Sequence, residues 1–401
     1  MSGKKILLLG GSHFQIPSVK TAKRLGLYTI TCDYLPDNPG HKFADEYHNV
    51  STTDREAVLD LARKLKIDGI VCYASDPAAP TCAYVAEKLG LPGQPYRSVE
   101  ILANKDLFRN FLTENGFLVP RARGFSRLED ARADWKNFRL PVMVKPVDSS
   151  GSKGVSKIDS EAELEKAVEY ALSFSRCKRF IIEEYIDKYG YQIAGDGFSV
   201  DGKLVFRSFA NEHFQISGGN PFVPIGESWP YNMPERVHEK VHREIQKALD
   251  LLKMRTGAYN FDIRIDRDEN VYLMEIGPRN GGNLIAQVTQ YATGVDMVEY
   301  TIKAAMGDDC SDLHMAPVKG FWSCYMVHSR KGGKFVGVNC SDEFKKNNIV
   351  EFDMLVKPGE EVPAFNGSNG TLGTMILKYA SLDEMLYKMD HMEEFVQVEV
   401  E

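Results

Sequence analysis

The sequence predicts an α/β protein: an open parallel sheet first, then an α+β part built mainly from hairpins. Two observations carry this. The first hundred residues alternate short buried apolar runs with amphipathic stretches, a βαβα rhythm. Beyond residue 190, runs with alternating apolar and polar positions turn back on themselves at Asp201-Gly202 and around residues 267–270.

In chain order, residues 4–10 (KKILLLG) read as a buried strand, 18–26 as a helix stopped by Gly26, and 27–33 as a second strand. Thr53 and Glu56 have the spacing of a capping box opening the helix DREAVLDLARKLK, and a strand over 68–74 and a further helix follow. Ligands on such sheets sit at the carboxyl ends of strands, here near Gly10–His13, Asp33 and Ser75-Asp76. After the Gly- and Pro-rich LGLPGQPY come a helix over 104–116, the strand LPVMVKP, a helix capped by Ser160 and Glu163, and a strand over 178–186. The 191–213 hairpin, a long helix PERVHEKVHREIQKALDLL, the 259–276 hairpin and a β-rich tail from about residue 316 complete the chain. Three domains are expected, over 1–103, 104–186 and 187–401.

Composition narrows the function. The 401 residues are 43% hydrophobic and 26% charged, as in ordinary globular proteins, and no stretch approaches the ~18 apolar residues of a membrane span. A net charge of −7 without basic blocks argues against nucleic acid. Seven scattered cysteines without a C-x-x-C pair argue against zinc and disulfide frameworks, and a cytoplasmic location is expected. The opening apolar run is too short for a signal peptide.

The stretch VMVKPVDSSGSKGV (142–155) places Lys145 at the end of an apolar strand, followed by a loop of small residues. Such loops cradle phosphates because glycine lets successive N–H groups converge on an anion. Neither G-x-x-x-x-G-K-[ST] nor G-x-G-x-x-G is present, so the loop taken alone reads equally as a surface turn. The missing dinucleotide fingerprint also disfavours a nicotinamide-dependent oxidoreductase.

A second signal lies in YNFDIRIDRDENVYLMEIGPRNGGN (259–283). Folding symmetrically about Asp268-Glu269 sets residue 266 opposite 271, 264 opposite 273, and Asp262 opposite Glu275, with Cβ atoms roughly 5 Å apart. Like charges so placed repel unless something sits between them, and Mg²⁺ prefers one or two carboxylates plus phosphate oxygens. The competing reading is a solvated face satisfied by Arg264, and a one-residue slip would separate the carboxylates. Arg279 follows in a glycine-rich turn, with a planar fork suited to carboxylate or phosphoryl groups.

Taken in order, Lys105, Lys145, DSSGSKGV, IIEEYI, Asp262, Glu275 and Arg279 resemble the ATP-grasp superfamily of carboxylate–amine ligases. SDPAAPTCAYVAEKLGLPG is similar to the Rossmann-like pre-ATP-grasp domain of glycinamide ribonucleotide synthetase and its relatives. The resemblance implies a pre-ATP-grasp domain, a small lobe carrying a Gly-rich lid, and a large lobe with the metal site. It implies ATP and Mg²⁺ (or Mn²⁺) as cofactors, a small carboxylate and an amine as substrates, and a homodimer, the common state of relatives. Lys105 and Lys145 would contact phosphates, Ser150, Gly151, Lys153 and Gly154 would form the lid, and Glu183 and Ile186 would offer backbone groups to adenine. Asp262 and Glu275 would bind the metal, and Arg279, with Lys145, would serve the chemistry at the acyl-phosphate. Asn211 and His213 would line the phosphate end.

Two departures stand out. Where the family has E-x-N-x-R, Gly277 replaces the asparagine ligand, leaving Asn280 or Asn283 as substitutes. Where an acidic residue serves the ribose hydroxyls, Gln192 stands, and is expected to contact ribose. EIGPRNGG resembles the amino-acid ligase branch, while the N-terminal part resembles the purine-biosynthetic one. A nucleotide-binding module without catalysis is the reading from a different class.

Overall fold

The computed structural model describes residues 3–214 and 220–401. Strands Glu46–His48, Tyr28–Cys32, Lys5–Leu9 and Gly69–Cys72 lie side by side in that order, all parallel. Alternate residues of the first strand enter different cores, because helices cover both faces. Leu7 and Leu9 pack with Val58, Leu61 and Ala83, whereas Ile6 and Leu8 meet Val19, Ile302 and Ala305. The second face is therefore completed by the helix Met297–Met306, from far along the chain. The helix Arg55–Leu65 is capped by Asp54, whose Oδ1 accepts from the Ala57 amide at 3.1 Å, rather than by Thr53. Aspartate caps at least as well as threonine, and the start moves one residue.

A four-stranded antiparallel sheet follows, ordered Ala122–Phe125, Phe180–Glu184, Val142–Pro146, Ser156–Ile158. Its Val142, Val144, Phe180 and Ile182 bury one face against the helix Leu164–Phe174, which opens through the Ser160–Glu163 capping box. Alternation then turns Met143, Lys145, Ile181 and Glu183 to the other face.

The largest sheet has eight strands, in the order Val271–Gly277, Gly257–Ile265, Gln192–Val200, Lys203–Phe214, Pro224–Trp229, Phe321–Val327, Gly373–Tyr379 and Ile349–Met354. Phe261, Ile263, Leu273 and Ile276 pack with Val237, Val241, Ile245 and Leu249 of the helix Glu235–Leu251. The opposite face of the same strands meets the small sheet across a cleft. The 200–203 turn is the expected one, with Asp201 and Gly202 both at positive φ (49° and 80°), as a tight hairpin requires.

The 257–277 hairpin differs from the symmetric reading in an instructive way. Near its turn the ladder pairs Ile265 with Val271 and Arg264 with Tyr272, one residue off the expected register. A β-bulge then absorbs one residue between the Ile263–Leu273 and Asp262–Glu275 pairs. The expected opposition of Asp262 and Glu275 is thus present, but the bulge produces it. Met274 and Glu275 in consequence both face the cleft.

Among the described residues, no helix is long and apolar enough to cross a membrane.

Candidate active site

The cleft between the small and large sheets encloses about 430 Å³ and is closed at one end by Phe14, Ala74 and Asp76 of the N-terminal unit. Lys105, Lys145, Ser150, Gly151, Lys153, Gln192, Asp262, Glu275 and Arg279 all line it. Asp33 does not: its carboxylate is engaged by the Gly11 and Leu35 amides and the Asn38 side chain, at 2.8–3.2 Å.

The glycine-rich loop is built from left-handed residues, with φ of 66° at Gly151, 56° at Ser152 and 74° at Gly154. A loop of this kind turns successive amides in one direction. It is tied down over the cleft, for Ser152 Oγ donates to the Phe222 carbonyl at 2.5 Å and Asn220 Nδ2 donates to the Ser152 carbonyl at 3.1 Å.

Arg109, on the helix Lys105–Glu114, joins three parts of the site and was not visible from sequence. Its Nε donates to Glu183 Oε2 at 2.6 Å, and NH1 and NH2 donate to the carbonyls of Leu273 (3.3 Å) and Met274 (2.9 Å). It thereby holds the bulge. Glu183 Oε1 takes Lys145 Nζ at 2.8 Å, so this carboxylate is shared between Arg109 and Lys145. Burial would raise the Glu183 carboxyl, but Arg109 and Lys145 overcome that and hold it at about 2. Burial pulls the Lys145 ammonium below its usual range, with Glu183 opposing.

Lys105 Nζ donates to Glu275 Oε2 at 2.9 Å and to the Ser149 carbonyl at 3.2 Å. Burial works against its charge, yet Glu275 and Asp76 raise its pKa overall. Asp262 has no such partner among the described residues; burial and the neighbouring Glu275 push its carboxyl up to about 7. Two further acids, missed in the sequence, face the same cleft from adjacent strands. Burial, Asp262 and Glu227 raise Glu212 well above the carboxylate range, and burial raises Glu227 to about 7. The site therefore carries surplus buried acidity, which hard cations and hydrogen-bond donors relieve.

Arg279 forks onto Asp76, with Nε to Oδ1 at 2.7 Å and NH2 to Oδ2 at 2.5 Å. This pair explains Gly277. A Cβ there would lie 3.0 Å from Asp76 Oδ1 and 3.4 Å from the Arg279 guanidinium, so the pair fills the space a side chain would need. Asn280 is no substitute ligand, because it is fully buried with Oδ1 bonded to Thr301, whereas Asn283 lines the cleft.

Several expected placements are corrected. The Glu183 backbone is paired with Ala122 on one side and Met143 on the other, so it has no free groups to offer a base. The Ile186 carbonyl accepts from Arg264 NH1 at 3.0 Å, so of its backbone groups the amide is the one left to offer a base. His213 faces away from the cleft, held by Asp390 and Ser228 at 2.8 Å each, and Asn211 shares its face, bonding Ser228 and Pro230. Strand parity gives the cleft to Glu212 instead. Ser228, His213 and Asp390 form a linked serine–histidine–carboxylate set, but Ser228 is fully buried and unreachable as a nucleophile.

Residues 138–288 match the model of the ATP-grasp domain family. The chain is 29% identical over 292 residues to a formate-dependent phosphoribosylglycinamide formyltransferase of Burkholderia vietnamiensis, covering 69% of each chain. It is 28% identical to the protein of that name from Methanocaldococcus jannaschii, over 71% of this chain and 72% of the other. Its fold is that of an L-amino acid ligase from Bacillus licheniformis (TM-score 0.81) and a phosphoribosylglycinamide synthetase from Anaerococcus prevotii (0.76), each 21% identical with full coverage of both chains. The part of the chain that carries the cleft, residues 138–288, thus matches the ATP-grasp domain family, and an N-terminal parallel sheet precedes the two sheets that enclose the cleft.

Proposed function

We propose that the protein transfers the γ-phosphate of ATP to a small carboxylate, and that an amine then displaces phosphate from the acyl-phosphate to form a C–N bond. The observation that carries this reading is the opposition of Asp262 and Glu275 in a cleft also lined by Lys105, Lys145, the glycine-rich loop and Arg279.

The donor set fits a magnesium ion. Asp262 and Glu275, opposed across the hairpin and both lining the cleft, offer it two carboxylates. That suits a cation which completes its shell with phosphate oxygens and water. Bound by Asp262 and Glu275, it would neutralise phosphate charge.

The remaining work is positioning and electrostatics. Lys105 and Lys145 bind the phosphates, with Glu183 and Arg109 orienting Lys145. The loop over 149–154 covers the reacting groups and keeps water from the acyl-phosphate. Arg279, aimed by Asp76, steadies the charge that develops on the transferring group. Phe14, Ala74, Asn283 and Glu227 bound the end where carboxylate and amine meet.

An amino acid is the first acceptor class to test. The sequence relatives, named as formate-dependent formyltransferases of phosphoribosylglycinamide, favour formate with a glycinamide nucleotide as a second pair. An ADP-release screen of carboxylates against amines, followed by product mass spectrometry, is expected to give ADP only when both are present. ATP binding without ADP across the panel would support a non-catalytic module instead, and absence of ATP binding would refute both.

A further inference from the structure

The family's ribose carboxylate is replaced by Gln192, yet the structure supplies a carboxylate beside it. Gln192 and Glu212 are register partners on adjacent strands, so their side chains share the cleft face. Gln192 is already committed. Its Oε1 accepts from Arg264 Nε at 2.8 Å, and its Nε2 donates to Glu212 Oε2 at 2.6 Å. Arg264 in turn binds the Ile186 carbonyl at 3.0 Å, at the link between the lobes. A relay therefore runs from Ile186 through Arg264 and Gln192 to Glu212 and fixes the carboxyl group. With its carbonyl taken, Gln192 has little capacity to accept from a diol.

Glu212 has that capacity. It is 5% exposed, lines the cleft, and forms no salt bridge among the described residues. Lys188 favours its charge, while Asp262 and Glu227 oppose it. A buried oxygen with spare acceptor capacity is stabilised by donors, and a vicinal diol brings two. The geometry points to Glu212 as the residue that accepts the ribose hydroxyls of the nucleotide, with Gln192 and Arg264 as positioning residues. The acidic function has moved one strand across the sheet. This rests on the Mg-ATP reading above and deepens it.

The test is calorimetric binding of ATP and of 2′,3′-dideoxy-ATP, with Mg²⁺, to the whole protein. The wild type is expected to favour ATP about tenfold, the worth of one or two good hydrogen bonds. Glu212→Ala is expected to bring the two nucleotides to near-equal affinity while leaving dideoxy-ATP binding within about twofold, since only hydroxyl contacts are lost. Glu212→Gln keeps the side-chain volume and one acceptor, and is expected to give an intermediate ratio. It carries the test should the alanine variant fail to fold. An ATP preference retained in the Glu212 variants would overturn the inference, as would one lost only in Gln192→Ala. Those outcomes leave the parent reading standing, whereas failure of the wild type to bind Mg-ATP sinks both.

Discussion

Replacing Arg109 by methionine keeps much of the side-chain volume and removes the fork that joins helix, bulge and small sheet. Glu183 would keep Lys145 but lose the shorter of its two ion pairs, and the Leu273 and Met274 carbonyls would lose their Arg109 donors. Breaking a buried ion pair from one side costs about 3–5 kcal/mol, and each buried carbonyl left unpaired adds about 1–3 kcal/mol. These terms share one side chain and do not add, and Lys145 limits the charge abandoned on Glu183, so about 4 kcal/mol is expected. Thermal melts and urea titrations followed by circular dichroism measure the effect, with a fall in melting midpoint of about 5 °C for a chain of 401 residues. Arg109→Lys keeps the charge without the planar fork and should recover only part of it. A methionine variant melting within about 2 °C of wild type would refute the idea that Arg109 holds the bulge and the lysine together.

Three further outcomes are expected. Lys145→Ala and Glu275→Ala should each abolish substrate-dependent ADP release while leaving the circular dichroism spectrum unchanged; normal turnover in either contradicts the assignments. Burial raises the Glu227 carboxyl from its usual 4.5 to about 7, so between those pH values the folded chain keeps a proton that the unfolded chain has lost, and stability falls as pH rises. Glu227→Gln should therefore melt close to wild type at pH 5 and higher at pH 8, by up to roughly 3 kcal/mol, and an equal gap at both pH values would contradict this. Gly277→Asn, which restores the family residue, should lower turnover by up to about a hundredfold by displacing Arg279, and a gain in activity or metal affinity would show that Asp76 and Arg279 yield the space.

What sequence revealed and what it hid divide along physical lines. The 200–203 turn and the Ser160–Glu163 cap follow from interactions within a few residues, and both were legible. The Asp262–Glu275 opposition was also legible, though a bulge anchored by a distant arginine sets it, and no local pattern announces such an anchor. Asn211 and His213, expected at the phosphate end, face away from the cleft, and the Lys203–Phe214 strand, buried on both faces, shows no alternation from which to read that parity. The Arg279–Asp76 pair joins segments far apart in the chain, so the reason for Gly277 emerged only with the fold.

The central claim, that Asp262 and Glu275 hold a divalent cation against the phosphates of ATP, is tested most directly by titrating ATP into wild-type and Asp262→Asn protein, with and without Mg²⁺. The expected result is that Mg²⁺ strengthens ATP binding to the wild type at least tenfold and does little for the variant, since one of two protein ligands is gone. Equal enhancement by Mg²⁺ in both proteins would contradict the account.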